Sequence, residues 1–375
     1  LELASHHSFK SSDTEQTAMP APKKILLMGA SYGSLLASKL LFGGHKIHLV
    51  CLPAEADLIN AEGFKVTLPV RGRKDPVLLE SRKLPGAVTA GPATGVNPAD
   101  YDLIGLCMQE PQYRSEGVRQ LLDAVGKSRV PCMSIMNMPP LPYIKRIPGL
   151  DYKALEAAYT DPRVWDNVDP KKITLNSPDP QAIRPPDGKA NELLVTLPTN
   201  FKCARFDDDK DTQIVRDLEK DVDAARFDAP EGKIELPVKL KVYDSIFVPL
   251  AKWSMLLAGN YRCITKDGMR TAQEAVHSNI EEARSVYNFV FDLCVKLGAN
   301  PNDLVPFEKY AAAAQSLSRP ASAARALQNG APNIERADKL VQLIAKQKGL
   351  SHPAIDAQVA LVDARLDANR KKAAA

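Results

Sequence analysis

Cysteine is sparse in this chain. Six thiols, Cys51, Cys107, Cys132, Cys203, Cys263 and Cys294, are spread over 375 residues, and no two form a C-x-x-C pair. That spacing excludes the common zinc ribbons and disulfide-dense scaffolds. Because most of the six lie in apolar segments, buried free thiols in a reducing, cytoplasmic setting are expected. Histidine is equally rare, at six. His45, His48, His277 and His352 show no ligand spacing with carboxylates or one another, apart from the strand neighbours His45 and His48, so no metal is expected. No apolar run reaches the length of a membrane span. Charge of one sign is also lacking: 49 basic against 45 acidic side chains give a formal +4. There is no basic stripe interleaved with aromatics, so neither nucleic acid nor a membrane is indicated as a partner. Residues 1–18 are polar, carry His6-His7 and lack the apolar core of a secretory signal. They read as a disordered leader or an expression remnant, outside the fold.

What the chain does have is enough apolar content, 45%, for two domains. Lys23 to Phe42, KKILLMGASYGSLLASKLLF, reads as a buried strand, a turn of small residues from Gly29 to Ser34, and an amphipathic helix closed by Gly43-Gly44. HKIHLVCL follows as a second apolar strand. Strand, turn, helix, strand is the βαβ unit with which dinucleotide-binding domains begin, the phosphates resting on free N–H groups at the helix N-terminus. The fingerprint G-x-G-x-x-G would need glycines at positions 31 and 34, where Ser31 and Ser34 stand, so Gly29, Ser31, Tyr32, Gly33 and Ser34 form a shortened version of it. Tight strand–helix packing is the plainer role for the glycines. The same letters also spell G-x-S-x-G, the nucleophile elbow of serine hydrolases, which would make Ser31 a nucleophile. That fold places several strands before its elbow, whereas here Ile25 opens the first strand.

Leu52-Pro53 stand where an acidic residue would select NAD, or a basic one NADP, so the chain is silent on that choice. Arg71, Arg73 and Lys74 in the following loop are either a 2′-phosphate clamp or ordinary exposed charges. Asp102–Met108 and Val130–Met136 read as further buried strands around a helix at Tyr113–Val125. The alternation argues for a doubly wound parallel sheet, with Gln109 and Asn137 at the strand ends that face a ligand crevice. Residues 138–232 are irregular, with a helix expected at Asp211–Ala225; Trp165 and the Asp207-Asp208-Asp209 run are explained by core packing and a solvated loop. From Ser245 onward the pattern is helical: Ser245–Ala258, Thr271–Leu297, Leu304–Leu317, Asn333–Lys348 and Pro353–Arg370. The expected architecture is therefore α/β, with a Rossmann-type sheet domain over 19–235, an all-helical domain over 236–375, and a small-molecule cleft between them.

With SLLASKLLFGGHKIHLVCLPAEADLINAEGFKV at the front, Asn137 after the last core strand, and LAKWSMLLAGNYRCIT opening the helical part, the chain resembles the ketopantoate reductase family. The likeness runs in order from about Lys23 to Arg365. It implies a Rossmann domain plus a helical domain, NADPH as cofactor with NAD also open, and reduction of the ketone of a 2-oxo acid. The family's lysine motif, K-x-x-x-N-x-x-x-N-P-x-T, places its catalytic lysine at Lys252 and its second asparagine at Asn260, while Leu256, Tyr261 and Cys263 depart from it. Its closing serine and glutamate fall on Ser322 and Ile334, with Glu335 able to serve after a one-residue shift. Its lysine before the helix at Tyr113 becomes Gln109, and its asparagine after the fifth strand is Asn137.

The resemblance thus implies Lys252 as general acid, with Asn137, Asn260, Ser322 and Glu335 orienting substrate. Gln109 and Asn137 stand beside the cofactor. An ammonium suits the task because it stabilises charge arriving on a carbonyl oxygen and donates the proton; an ordinary helix lysine with an exposed head is the plain alternative. Lys252, Leu256 and Asn260 share one face of a straight helix, and a break near Gly259 would let both ends reach one substrate. Leu256 would then add an apolar wall, predicting a substrate bulkier or less hydroxylated than ketopantoate. A paralogue that binds a nucleotide or small molecule without hydride transfer is the alternative favoured by the departures. The helical part has apolar length enough for a homodimer.

Overall fold

The computed structural model describes residues 21–374, so the leader assigned to residues 1–18 lies outside the described residues. Fourteen strands are present among them: β1 (Lys24–Met28), β2 (Lys46–Val50), β3 (Lys65–Leu68), β4 (Val77–Glu80), β5 (Ala87–Gly91), β6 (Leu103–Leu106), β7 (Cys132–Ser134), β8 (Ile173–Ser177), β9 (Gln181–Ile183), β10 (Glu192–Leu197), β11 (Phe201–Ala204), β12 (Arg226–Ala229), β13 (Gly232–Glu235) and β14 (Leu240–Tyr243). The main sheet has the order β14-β11-β8-β7-β6-β1-β2-β5. From β5 to β8 every pair is parallel. β11 runs antiparallel to β8 and carries β14 parallel to itself. From β1 the chain winds outward through β2 to β5, then returns to wind the other way through β6, β7 and β8. The order therefore reverses between β1 and β6, where a ligand crevice opens at the carboxyl ends of the strands.

β1 shows why a parallel sheet forms here. Ile25 to Met28 are all fully buried, as a strand covered on both faces must be. Alternate residues point opposite ways. Ile25 and Leu27 join the core under α1 (Ala30–Leu40), α2 (Pro53–Glu62) and α6 (Asp209–Ala224). Leu26 and Met28 face α3 (Val118–Ser128), the short α4 (Leu141–Ile144) and α5 (Tyr152–Leu155), and the helical part beyond. Trp165 belongs to this second core, its ring 5.3 Å from that of Tyr113. The acidic run at 207–209 starts α6, with Asp208 accepting from Lys210 N–H at 2.8 Å, and Asp207 pairs with Arg146.

A smaller sheet, β4-β3-β10-β9, lies beside α1, and β12-β13 form a separate hairpin. The strand expected at Phe64–Leu68 thus joins this sheet as β3, not the main one. The main sheet also continues past the expected boundary at 235, because β14 pairs with β11 from Leu240 to Tyr243.

The helical part comprises α7 (Lys252–Met255), α8 (Ala272–His277), α9 (Ile280–Lys296), α10 (Phe307–Ala314), α11 (Ser322–Gln328), α12 (Ala337–Gln347) and α13 (Pro353–Ala374). The single helix expected over 271–297 is two, because Asn279 leaves the helical conformation and caps α9, accepting from Glu282 N–H at 3.2 Å. After α7 the chain widens into a π turn, Leu256–Asn260. Its cause is visible at Gly259: a Cβ there would fall 1.9 Å from Tyr310 Oη, and that hydroxyl donates to the Met255 carbonyl at 3.2 Å. A side chain inserted against the helical ladder is a recognised cause of such widening. The core of the helical part is continuous with one face of the sheet, since Met136 and Leu175 share a cluster with Leu256, Tyr261 and Leu340. No helix among the described residues is long and apolar enough to cross a membrane.

Candidate active site between sheet and helices

A cleft of about 440 Å³ opens where the strand order reverses. Tyr32 from α1, Cys107 to Gln109 after β6, and Ile135 to Asn137 after β7 form its floor. Lys252 and Asn260 face it from the helical part, with Glu335 beside Asn137. The rim is Ser316 to Ser322 with Arg325, and the β9-β10 hairpin closes a third side through Gln181 to Ile183, Thr196 and Leu197. Seven of the residues singled out from sequence, Tyr32, Gln109, Asn137, Lys252, Asn260, Ser322 and Glu335, meet here. Gly29, Ser31, Gly33 and Ser34 stand outside the lining.

The glycine turn is packed tightly. Gly29 has φ +113°, and a Cβ would lie 2.7 Å from Met108 Cγ and 3.0 Å from the Cys107 carbonyl oxygen. Its bareness brings the start of α1 against the end of β6. Gly33 makes ordinary contact with Cys107 and Leu27. Ser34 differs from the expectation, because it is buried and its hydroxyl donates to the Ala30 carbonyl at 2.6 Å, one turn back in its own helix. Ser31 is exposed at the helix start. Among the described residues no side chain caps α1, so the positive end of an eleven-residue helix presents uncapped N–H groups, the arrangement that receives a phosphate. Tyr32 spans turn and cleft, its ring edge-on to Phe201 at 5.9 Å and its hydroxyl donating to the Pro180 carbonyl at 2.5 Å.

Lys252 is 14% exposed. Its Nζ lies 3.1 Å from Asp179 Oδ1 and 3.2 Å from the Pro178 carbonyl oxygen. Asp179 also accepts from Ser177 Oγ at 2.6 Å and pairs with Lys202 Nζ at 3.2 Å. Burial alone would raise the Asp179 carboxyl; the two ammonium groups outweigh it and hold the group below its ordinary range. Sequence reading missed Asp179, although an aspartate clamped between two prolines just after a strand end was there to be noticed.

Leu256 does not form the expected wall. It is 2% exposed and packs into the shared core. On an α-helix residues four apart drift by about 40° per step. Through the wider π turn Lys252 and Asn260 both line the cleft while Leu256 does not. The inference of a bulkier substrate falls with it.

Glu335, not Ile334, reaches the cleft; Ile334 lies in the core. The Glu335 carboxyl accepts from Asn137 Nδ2 at 3.3 Å and Met138 N–H at 3.4 Å. Burial pushes it up to about 7 against those two donors, with Glu110 adding repulsion. Tyr261 fixes this segment: its hydroxyl donates to the Glu335 carbonyl and accepts from Ala337 N–H at 2.8 Å. Arg319 and Arg325 were not singled out from sequence. Arg325 is half-buried, one turn after Ser322 on α11, and makes no ion pair among the described residues.

The other sequence options find little support. None of the four described histidines lines the cleft, and His45 is occupied with Asp221 at 3.1 Å, so among the described residues no imidazole is placed to activate Ser31. Arg73 pairs with Glu231, the exposed-loop role. Beyond β2, Leu52 is 75% exposed, and Arg184 from the β9-β10 hairpin pairs with Glu55 of α2. Among the described residues, no group of three or more His, Cys, Asp or Glu side chains is placed to hold a metal.

No protein-family model matches the chain, and the curated proteins contain no significant match to it. Solved structures do match in fold. A 2-dehydropantoate 2-reductase from Methylococcus capsulatus aligns with a TM-score of 0.60 at 12% identity, over 92% of this chain and 97% of that one. D-mandelate dehydrogenase, in a ternary structure with NADH and anilino(oxo)acetate, gives 0.60 at 14% identity, over 92% and 99%. A PanE/ApbA family ketopantoate reductase from Ralstonia eutropha JMP134 gives 0.57 at 14% identity, over 92% and 99%. The chain therefore has the α/β fold of the ketopantoate reductases along nearly its whole length.

Proposed function

We propose that this protein is a nicotinamide-dependent oxidoreductase of the ketopantoate reductase type, interconverting a 2-oxo acid and its 2-hydroxy acid. One observation carries the reading: an ammonium, two amides and a buried carboxyl from three separate stretches converge on the crevice where a doubly wound sheet reverses its order. NAD(P)H, when bound, supplies the hydride. The free N–H groups at the start of α1 fit a pyrophosphate, with Gly29 and Gly33 setting the turn, Ser31 at its exposed edge and Tyr32, Gln109 and Asn137 nearer the reacting centre. The hydroxyl of Ser34 is not part of that seat. Lys252 has one N–H left after Asp179 and Pro178; it stabilises the oxygen of the carbonyl and delivers the proton. Asn260 and Asn137 orient the carbonyl. Arg325 has no counter-ion among the described residues and, with Ser322, takes the carboxylate. Glu335 holds Asn137 in place.

A second reading is a binding protein without hydride transfer, and the specific observation behind it is the engagement of Lys252 with Asp179. Titration of NADPH and NADH fluorescence, followed by oxidation of each with a panel of 2-oxo acids, separates the two. The reductase binds at least one of the two cofactors and oxidises it with at least one acid. Lys252→Ala then lowers turnover by about 100-fold or more with cofactor affinity nearly unchanged. Absence of binding of both NADPH and NADH refutes the reductase reading.

A further inference from the structure

The loop between β8 and β9, Pro178-Asp179-Pro180, ties both halves of the cleft together. Its Asp179 meets Lys252 from the helical part, and its Pro180 carbonyl accepts from Tyr32 at the start of α1. Two flanking prolines fix the backbone of this strap. Ser177 and Lys202 then fix the carboxylate itself, at 2.6 and 3.2 Å. Asp179 is only 13% exposed, so water screens its attraction for Lys252 weakly.

We propose that Asp179 is the positioning residue for Lys252: with the Pro178 carbonyl it holds the ammonium at the cleft wall and leaves its third N–H to face the cleft. The proposal rests on the reading of Lys252 as proton donor and adds a partner to it. The surrounding charges show why a partner is needed. Lys202 faces Asp179 from β11, and Arg319 and Arg325 stand on the rim of the same cleft. Tyr32 of α1 and Tyr287 of α9 also feel the Asp179 charge, but burial pushes both hydroxyls above their ordinary range, leaving them neutral. Glu335, across the cleft, is bound to Asn137 and Met138. Among the described residues Asp179 is the one carboxylate paired with Lys252. Without it, the ammonium would face the other cations of the cleft with no carboxylate to hold it at the wall.

The test uses the full chain. Asp179→Asn is expected to lower kcat for a turned-over 2-oxo acid by about ten-fold or more, while affinity for the reduced nicotinamide cofactor stays within about two-fold of the parent. Asp179→Glu is expected to restore most of the loss. A crystal structure of Asp179→Asn is expected to show Lys252 Nζ withdrawn from the Pro178 carbonyl. An unmoved Nζ in that structure overturns the proposal, as does a fall in kcat accompanied by lost cofactor affinity, which would reduce the strap to a structural brace. Should the parent protein oxidise neither NADPH nor NADH with any 2-oxo acid, the functional reading fails, while the position of Nζ in Asp179→Asn still decides the role of Asp179.

Discussion

Replacing Glu335 with glutamine is expected to stabilise the protein in alkali and to do little in acid. The carboxyl is 6% exposed and its midpoint lies at about 7, against an unperturbed 4.5. Below pH 4 both folded and unfolded chains carry the proton, and ionisation contributes nothing. As pH rises through 4.5 the unfolded chain releases its proton while the folded one keeps it, so stability falls steadily. Above about 7 the folded carboxyl ionises too, and the loss stays constant. An interval of about 2.5 pH units, at about 1.4 kcal/mol per unit, corresponds to about 3 kcal/mol. Glutamine has the same size, keeps an acceptor for Met138 N–H, and removes the burial of charge. Urea denaturation of Glu335→Gln and parent at pH 5 and pH 8.5 measures it: the variant should gain less than about 1 kcal/mol at the lower pH and about 3 kcal/mol at the higher. Equal differences at the two pH values would refute the reasoning, because no other effect of a neutral isostere follows the ionisation of this one group.

Gly259→Ala places a methyl 1.9 Å from Tyr310 Oη, and the overpacking is expected to destabilise by about 1–3 kcal/mol. Adding Tyr310→Phe, which removes that oxygen, should recover most of the loss in thermal denaturation; a purely additive double variant would show that the hydroxyl does not set the π turn. Arg325→Leu is expected to raise KM for a turned-over 2-oxo acid by about ten-fold or more, while leaving KM for the matching methyl ester unchanged, as steady-state kinetics will show. An equal rise for acid and ester would remove Arg325 from carboxylate recognition.

The N-terminal βαβ unit was legible because its signals are local. An apolar run of four buried residues, a glycine needing positive φ and a helix closed by Gly44 each leave their mark within a few residues. The convergence of Asn137, Lys252 and Glu335 came from the order of the family motifs, since nothing local joins residues about two hundred apart. Three features were illegible for identifiable reasons. Leu256 was misplaced because a break at Gly259 was expected to leave it facing the cleft between Lys252 and Asn260, and the Tyr310 hydroxyl that instead widens the turn lies 51 positions away. β14 was grouped with the helices because its partner, β11, lies across an entire helix and hairpin. Asp179 and Arg325 escaped because a charge beside prolines or on a short alanine-rich helix reads as solvated until its neighbours are known.

The apolar cluster that runs unbroken from the sheet into the helices has a consequence for how anything enters the crevice. Swinging the helical part away as a rigid jaw would wet Leu256, Tyr261 and Met136 together, and the lost burial would oppose it strongly. The β9-β10 hairpin is anchored as well, by Leu193 and Val195 in the other core. The thin margin is the serine-rich stretch before α11, where Ser316, Ser318 and Arg319 are exposed, and a crevice with fixed walls on its other sides is most cheaply widened there.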